Sequence, residues 1–140
     1  KWFEECYRHY LDWNKVKEYQ IHLNSIWVNE MKEHEYNPVH VHQGNLYTGL
    51  SSVMILKLPK SFGVEYSSEH SPQNGRLQIL GSAAGQFAHT DYQPEVANGD
   101  FFVFPYDLRH LVYPFNGPGY RRTLAANCDV EYNPIANRGA

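Results

Sequence analysis

The chain breaks into short apolar or alternating runs, each closed by a turn signal, and this pattern most limits what it can fold into. Asn74-Gly75, Asn98-Gly99 and Asn116-Gly117-Pro118-Gly119 are turn sequences. Around them lie LYTGLSSVMILKL (residues 46–58, closed by Pro59), RLQIL, DFFVFP and YRRTLAANCDV, each readable as a strand. Upstream, EYQIHLNSIWVNEM alternates Tyr19, Ile21 and Leu23 with polar residues and then runs Ile26-Trp27-Val28, the pattern of one strand or a pair of short strands. Only residues 1–14, KWFEECYRHYLDWN, have helical spacing, through Trp2, Phe3, Cys6, Tyr10 and Trp13. The spacing predicts one all-β domain over residues 1–140, a sandwich or jelly roll, with a helical lead-in over 1–14. Trp2, Phe3, Tyr10 and Trp13 are expected to pack that helix against the outside of the sheets. Residues 60–94 are the least regular and are expected to carry long loops.

Charge and cysteines narrow the class. The formal net charge of −3 argues against nucleic acid as the main partner, because phosphate binding needs a positive surface. No apolar run approaches the roughly 20 residues of a membrane span, and none reads as a signal peptide. Cys6 and Cys128 lie far apart with no pairing pattern, so a reduced, cytoplasmic setting is expected. The opening Lys-Trp-Phe, without a start methionine, reads as a partial or trimmed chain.

The chemistry concentrates in NPVHVHQG, residues 37–44. On an extended chain His40 and His42 point the same way, a few ångströms apart. Two close imidazoles do not both protonate comfortably, whereas a metal ion wants both neutral. The plain alternative is two exposed histidines at a strand edge, so a third ligand is needed. His110 qualifies: residues 43–109 intervene, enough for several strands. His89 and Asp91, in His-Thr-Asp, make the competing pair, since His-x-Asp with a distant His is the two-His-one-carboxylate set of non-haem iron oxygenases. Only residues 92–109 separate Asp91 from His110, so this segment is read as a loop. His9, His22, His34 and His70 are read as surface residues.

Arg121 and Thr123 follow on the last predicted strand, again on one face. A guanidinium fork beside a hydroxyl suits a carboxylate held in a bidentate way. If that strand lies beside the one carrying His110, the carboxylate sits near the metal. The alternative is a solvated Arg121-Arg122 pair on an edge. Arg122 shares its face with the apolar Leu124 and Ala126, which leaves the inward choice contested; the hydroxyl of Thr123 favours Arg121.

Taken in order, Trp27 and Asn29, Asn-Pro-x-His-x-His over 37–42, Gly99-Asp100 with an apolar run ending Phe104-Pro105, His110-x-Val112-x-Pro114, and Arg121-x-Thr123 ending in Asn127 form a pattern. It resembles the 2-oxoglutarate and Fe(II)-dependent oxygenases of bacteria and cyanophage-like viruses, over about residues 26–130. The resemblance implies a double-stranded β-helix, cupin-like in form. It implies Fe(II) held by His40, His42 and His110, and 2-oxoglutarate anchored at Arg121 with help from Thr123. It also implies O2 as co-substrate and hydroxylation of an unidentified substrate with release of succinate and CO2. Tyr47, Phe102 and Tyr106 are candidates for the pocket wall, or else plain core.

One position departs from the wider oxygenase pattern. His42 stands where an aspartate or glutamate usually completes the triad. A three-His site fits a cupin-type dioxygenase that needs no 2-oxoglutarate, and GDFFVFPYDLRH partly fits the second cupin motif. A non-catalytic jelly-roll binding module is the third reading, and it predicts no iron.

Overall fold

The computed structural model describes residues 1–82 and 86–138. In chain order these form α1 (Trp2–Trp13), β1 (Tyr19–Lys32), β2 (Asn37–His40), β3 (Gly49–Lys57), β4 (Leu77–Leu80), β5 (Phe101–Pro105), β6 (Arg109–Val112) and β7 (Tyr120–Tyr132). Two antiparallel sheets result. The larger has the order β1-β7-β3-β5 and the smaller β2-β6-β4. Every connection between consecutive strands therefore crosses from one sheet to the other. That alternation winds the chain into a double-stranded β-helix, the jelly roll predicted from the strand pattern.

EYQIHLNSIWVNEM forms one strand, not two. β1 pairs with β7 from Tyr19↔Tyr132 to Lys32↔Tyr120, with a bulge where Leu23 faces Cys128 and Ser25 faces Asn127. The extra residue, Asn24, reverses the alternation. Before it, Tyr19, Ile21 and Leu23 face outward and pack with α1. After it, Trp27, Asn29 and Met31 face the space between the sheets.

The helix packs differently from expectation. Its buried residues are Tyr7 and Leu11, with Phe3 and Tyr10 half-buried beside them against Leu50, Ala126, Cys128 and Val130. Phe3, Tyr7 and Leu11 recur at four-residue intervals and form one stripe. Trp13 lies off that stripe and is 79% exposed. Trp2 is half-exposed and only rests edge-on against Phe101. The Tyr7 hydroxyl ties helix to sheet, lying 2.7 Å from Ser52 Oγ and donating to the Ala126 carbonyl at 3.0 Å. A second core lies between the sheets: Met31, Leu77, Ile79, Phe104, Val112 and Phe115.

β3 begins at Gly49, later than the apolar run from Leu46. The segment before it is held as a loop by buried polar groups. Asn45 N–H donates to Asp129 Oδ2 at 2.9 Å, Thr48 Oγ1 donates to the Val130 carbonyl at 2.6 Å, and Tyr106 Oη donates to the Leu46 carbonyl. At Gly44 a Cβ would collide with the Asp129 carboxylate, so glycine lets this loop lie close against β7. None of the helices is long and apolar enough to cross a membrane, among the described residues.

Candidate metal centre

β2 and β6 are neighbours in the smaller sheet, with His40 paired to His110 in register. Just past the end of β2, His42 is anchored by its own N–H, which donates to the Tyr106 carbonyl at 2.8 Å. The three imidazoles converge. Ring centroids lie 5.0 Å apart for His40 and His42, 4.2 Å for His40 and His110, and 4.9 Å for His42 and His110. One ring nitrogen of each falls within 4.8 Å of the others.

The backbone selects the tautomers. His40 Nδ1 lies 2.6 Å from the Pro38 carbonyl, and His110 Nδ1 lies 2.9 Å from the Leu108 carbonyl. A carbonyl only accepts, so Nδ1 carries the proton in both rings and the Nε2 lone pair is left free. This is the outer-shell arrangement that orients metal-binding histidines. His42 Nε2 comes within 3.1 Å of His110 Nε2, and Trp27 lies against the His42 ring at 5.4 Å between centroids. Burial, then the neighbouring His110 and His40, lower the His42 pKa to about 4. His110 is also lowered, chiefly by burial. Both are thus held neutral near pH 7, the form a metal needs.

The histidines share a cavity of about 170 Å³ with Arg121, Thr123, Ser51 and Phe104. Arg121 is 2% exposed, and its Nε and Nη2 find no hydrogen-bond partner among the described residues. Desolvation, with no carboxylate nearby to oppose it, brings its pKa down from 12.5 to about 10. A buried guanidinium without a partner is costly, so it marks a place for an anion. Arg122 faces the other way and donates to Glu30 Oε2, from Nε at 2.9 Å and from Nη2 at 2.5 Å, at the surface. Its apolar neighbours Leu124 and Ala126 line the outer side of the sheet; the interior lies on the other side.

The condition that the last strand lie beside the one carrying His110 is not met. β7 lies in the larger sheet and β6 in the smaller, so Arg121 and His110 line one cavity from opposite sheets. His89 is exposed and does not belong to the cluster, and Asp91 accepts a hydrogen bond from Gln78 Nε2 at 3.0 Å. His9, His22, His34 and His70 are exposed. Of the aromatic candidates for the wall, Tyr47 is fully exposed, Phe102 belongs to the core, and Tyr106 is buried beside the 43–48 loop. Phe104 takes that place, edge-on to His110 at 4.9 Å. Ser51 and the contact of Trp27 with His42 also went unread; the polar Ser51-Ser52 pair inside an apolar strand was the available signal.

Fold and side chains together define a cupin-like jelly roll with a three-histidine cluster suited to a metal ion. The chain belongs to the 2OG-Fe(II) oxygenase family: the profile described as "Putative 2OG-Fe(II) oxygenase" matches residues 25–127. Among solved structures, it is similar to an oxidoreductase of the 2OG-Fe(II) oxygenase family from Burkholderia pseudomallei, with a TM-score of 0.61 and 15% identity. That match covers 87% of this chain and 50% of the other, so the chain spans half the length of that protein. An RmlC-like cupin protein from Desulfovibrio desulfuricans matches with a TM-score of 0.42 and 16% identity, over 79% of this chain and 82% of its own. Among curated proteins, none matches the chain in sequence.

Proposed function

We propose that the chain is an Fe(II)- and 2-oxoglutarate-dependent hydroxylase, with His40, His42 and His110 as metal ligands and Arg121 and Thr123 as the co-substrate anchor. Overall, 2-oxoglutarate, O2 and a substrate C–H bond are converted to succinate, CO2 and a C–OH group. The observation that carries this reading is the buried, unpaired Arg121 guanidinium in the same cavity as three converging imidazoles. A dicarboxylate co-substrate supplies the counter-charge that this cation lacks.

The donor set fits Fe(II). Three imidazoles offer borderline nitrogen ligands, which suit iron among other first-row metals. Fe(II), when bound, supplies the activation of O2. The protein's own residues do the rest. Nδ1–H bonds to Pro38 and Leu108 aim two imidazoles and leave their Nε2 lone pairs for the metal. Arg121 binds the distal carboxylate through a fork of N–H donors, and the Thr123 hydroxyl adds one more. Arg121 and Ala125, which is paired with Trp27, are separated by four residues of extended strand, about 13 Å. The arginine side chain and a five-carbon diacid together bridge that span. Phe104, Val112 and Leu77 keep the cavity dry.

Succinate release from 2-oxoglutarate, measured with and without added Fe(II), tests the reading. Iron-dependent succinate formation is the expected result. Bound iron without any 2-oxoglutarate binding or turnover would favour the cupin-type dioxygenase instead.

A further inference from the structure

The cavity that holds the histidines and Arg121 is too small for two ligands. Sites that enclose a drug-sized molecule run to roughly 300–1,000 Å³, whereas this one has about 170 Å³. A five-carbon diacid stretched from Arg121 toward the histidines takes up most of it. The substrate must therefore lie outside and send in a single group.

Burial shows where the cavity opens. Arg121, Thr123, Ser51, Phe104 and Val112 are all buried. The half-exposed lining residues are Trp27 and Asn29 from β1, Asn37 and His40 from β2, and His42 just beyond it, apart from Val53 on β3. β1 is an edge strand of the larger sheet and β2 an edge strand of the smaller. The mouth is thus a cleft between two open strand edges. Along β1, residues 24–31 make no main-chain hydrogen bond beyond their pairing with β7, among the described residues. The bulge at Asn24 interrupts this edge only at its start, and beyond it Ile26-Trp27-Val28-Asn29 contains no proline and no lysine. Ile26 and Val28 are half-exposed on the outer face beside it, as are Val39 and Val41 across the cleft.

We propose that the primary substrate is a polypeptide bound in extended form along the free edge of β1, with one side chain inserted between β1 and β2 toward the three histidines. Edge pairing supplies sequence-independent main-chain hydrogen bonds, and the cleft selects the inserted side chain. A nucleic acid is disfavoured: the end of β1 and the segment joining it to β2 carry Glu30, Glu33 and Glu35 against a single Lys32, and the net charge is −3. The inference rests on the hydroxylase reading above, because the co-substrate is what fills the cavity.

The test uses the full chain loaded with Fe(II) and 2-oxoglutarate. It is challenged with pools of short peptides, one pool for each central residue with degenerate flanks, and in parallel with the free amino acids and a mixed-sequence single-stranded oligonucleotide. At least one peptide pool should raise succinate release about tenfold, the matching free amino acid should not, and peptide should slow amide exchange within residues 26–31. Equal stimulation by a free amino acid, stimulation by the oligonucleotide, stimulation without protection of β1, or no active pool would each overturn the proposal. Calorimetric titration of 2-oxoglutarate alone separates the two levels. If it binds and no pool acts, only the polypeptide inference fails; if it does not bind, the hydroxylase reading fails and takes this inference with it.

Discussion

His42 and His110 bring their Nε2 atoms to within 3.1 Å of each other, one from the segment after β2 and the other from the neighbouring strand β6. At that separation the pair holds at most one proton, and a metal ion satisfies both lone pairs at once. His40→Ala, His42→Ala and His110→Ala should each weaken Fe(II) binding more than about 100-fold, since even outer-shell changes reach that range. His89→Ala should leave it unchanged. Metal content after dialysis against a weak chelator reads the result, and loss of metal in His89→Ala with retention in His42→Ala would reverse the assignment.

The two adjacent arginines should separate cleanly. Removing a buried, bidentate charge contact costs roughly 2–4 kcal/mol, so Arg121→Ala should raise the Kd for 2-oxoglutarate about 30-fold or more. Arg122→Ala loses only a surface pair with Glu30 and should change it little. Titration with an inert divalent metal in place of iron gives both constants. Equal small effects would put the carboxylate anchor elsewhere.

The same residue carries a pH signature. The folded-state pKa of Arg121 lies near 10, below its ordinary 12.5, because its charge is buried without a partner. The buried charge destabilises the co-substrate-free protein at every pH below about 10, and the penalty fades as pH rises toward 12.5. At 1.36 kcal/mol per pH unit this corresponds to roughly 3 kcal/mol. Arg121→Met should therefore unfold at higher urea than the parent between pH 6 and 9, while losing 2-oxoglutarate binding. Lower stability in Arg121→Met would mean that the guanidinium has a partner already.

Helix docking should depend on Tyr7 and hardly at all on Trp13. Tyr7→Phe deletes a buried hydroxyl with two partners and should cost about 1–3 kcal/mol. Trp13→Ala removes an exposed ring and should stay within about 0.5 kcal/mol. Urea unfolding measures both, and 2-oxoglutarate affinity should move in neither.

Much of this site could be read from residue order because its parts obey local rules. The i, i+2 placement of His40 and His42, and of Arg121 and Thr123, fixes which side chains share a face once the segment is extended. What could not be read depends on partners distant in sequence. The register that sets His40 opposite His110 is a property of strand pairing, and so is the separation of β6 and β7 into different sheets. The choice between Arg121 and Arg122 was ambiguous for a related reason. Apolar neighbours such as Leu124 and Ala126 mean "inside" only where one side of a sheet is buried, and here α1 covers part of the outer side as well. Helical spacing marked α1 correctly, but Trp2 and Trp13 drew attention by size, whereas the four-residue stripe of Phe3, Tyr7 and Leu11 decided the contact.

The bulge at Asn24 couples two parts of the molecule that otherwise share little. On one side of it β1 presents Tyr19, Ile21 and Leu23 to the helix; on the other it presents Trp27, Asn29 and Met31 to the cavity. The single additional residue offsets the sequence period between the part of β1 that meets the helix and the part that meets the cavity. Deleting Asn24 would leave Leu23 opposite Cys128 and Ser25 opposite Asn127 and make the strand regular, with Trp27 and Asn29 still toward the cavity and Ile26 and Val28 still outward. The pairing with β7, and not the residue count between Leu23 and Trp27, therefore holds Trp27 and Asn29 toward the histidines, and the bulge is the place where this strand can change length by one residue.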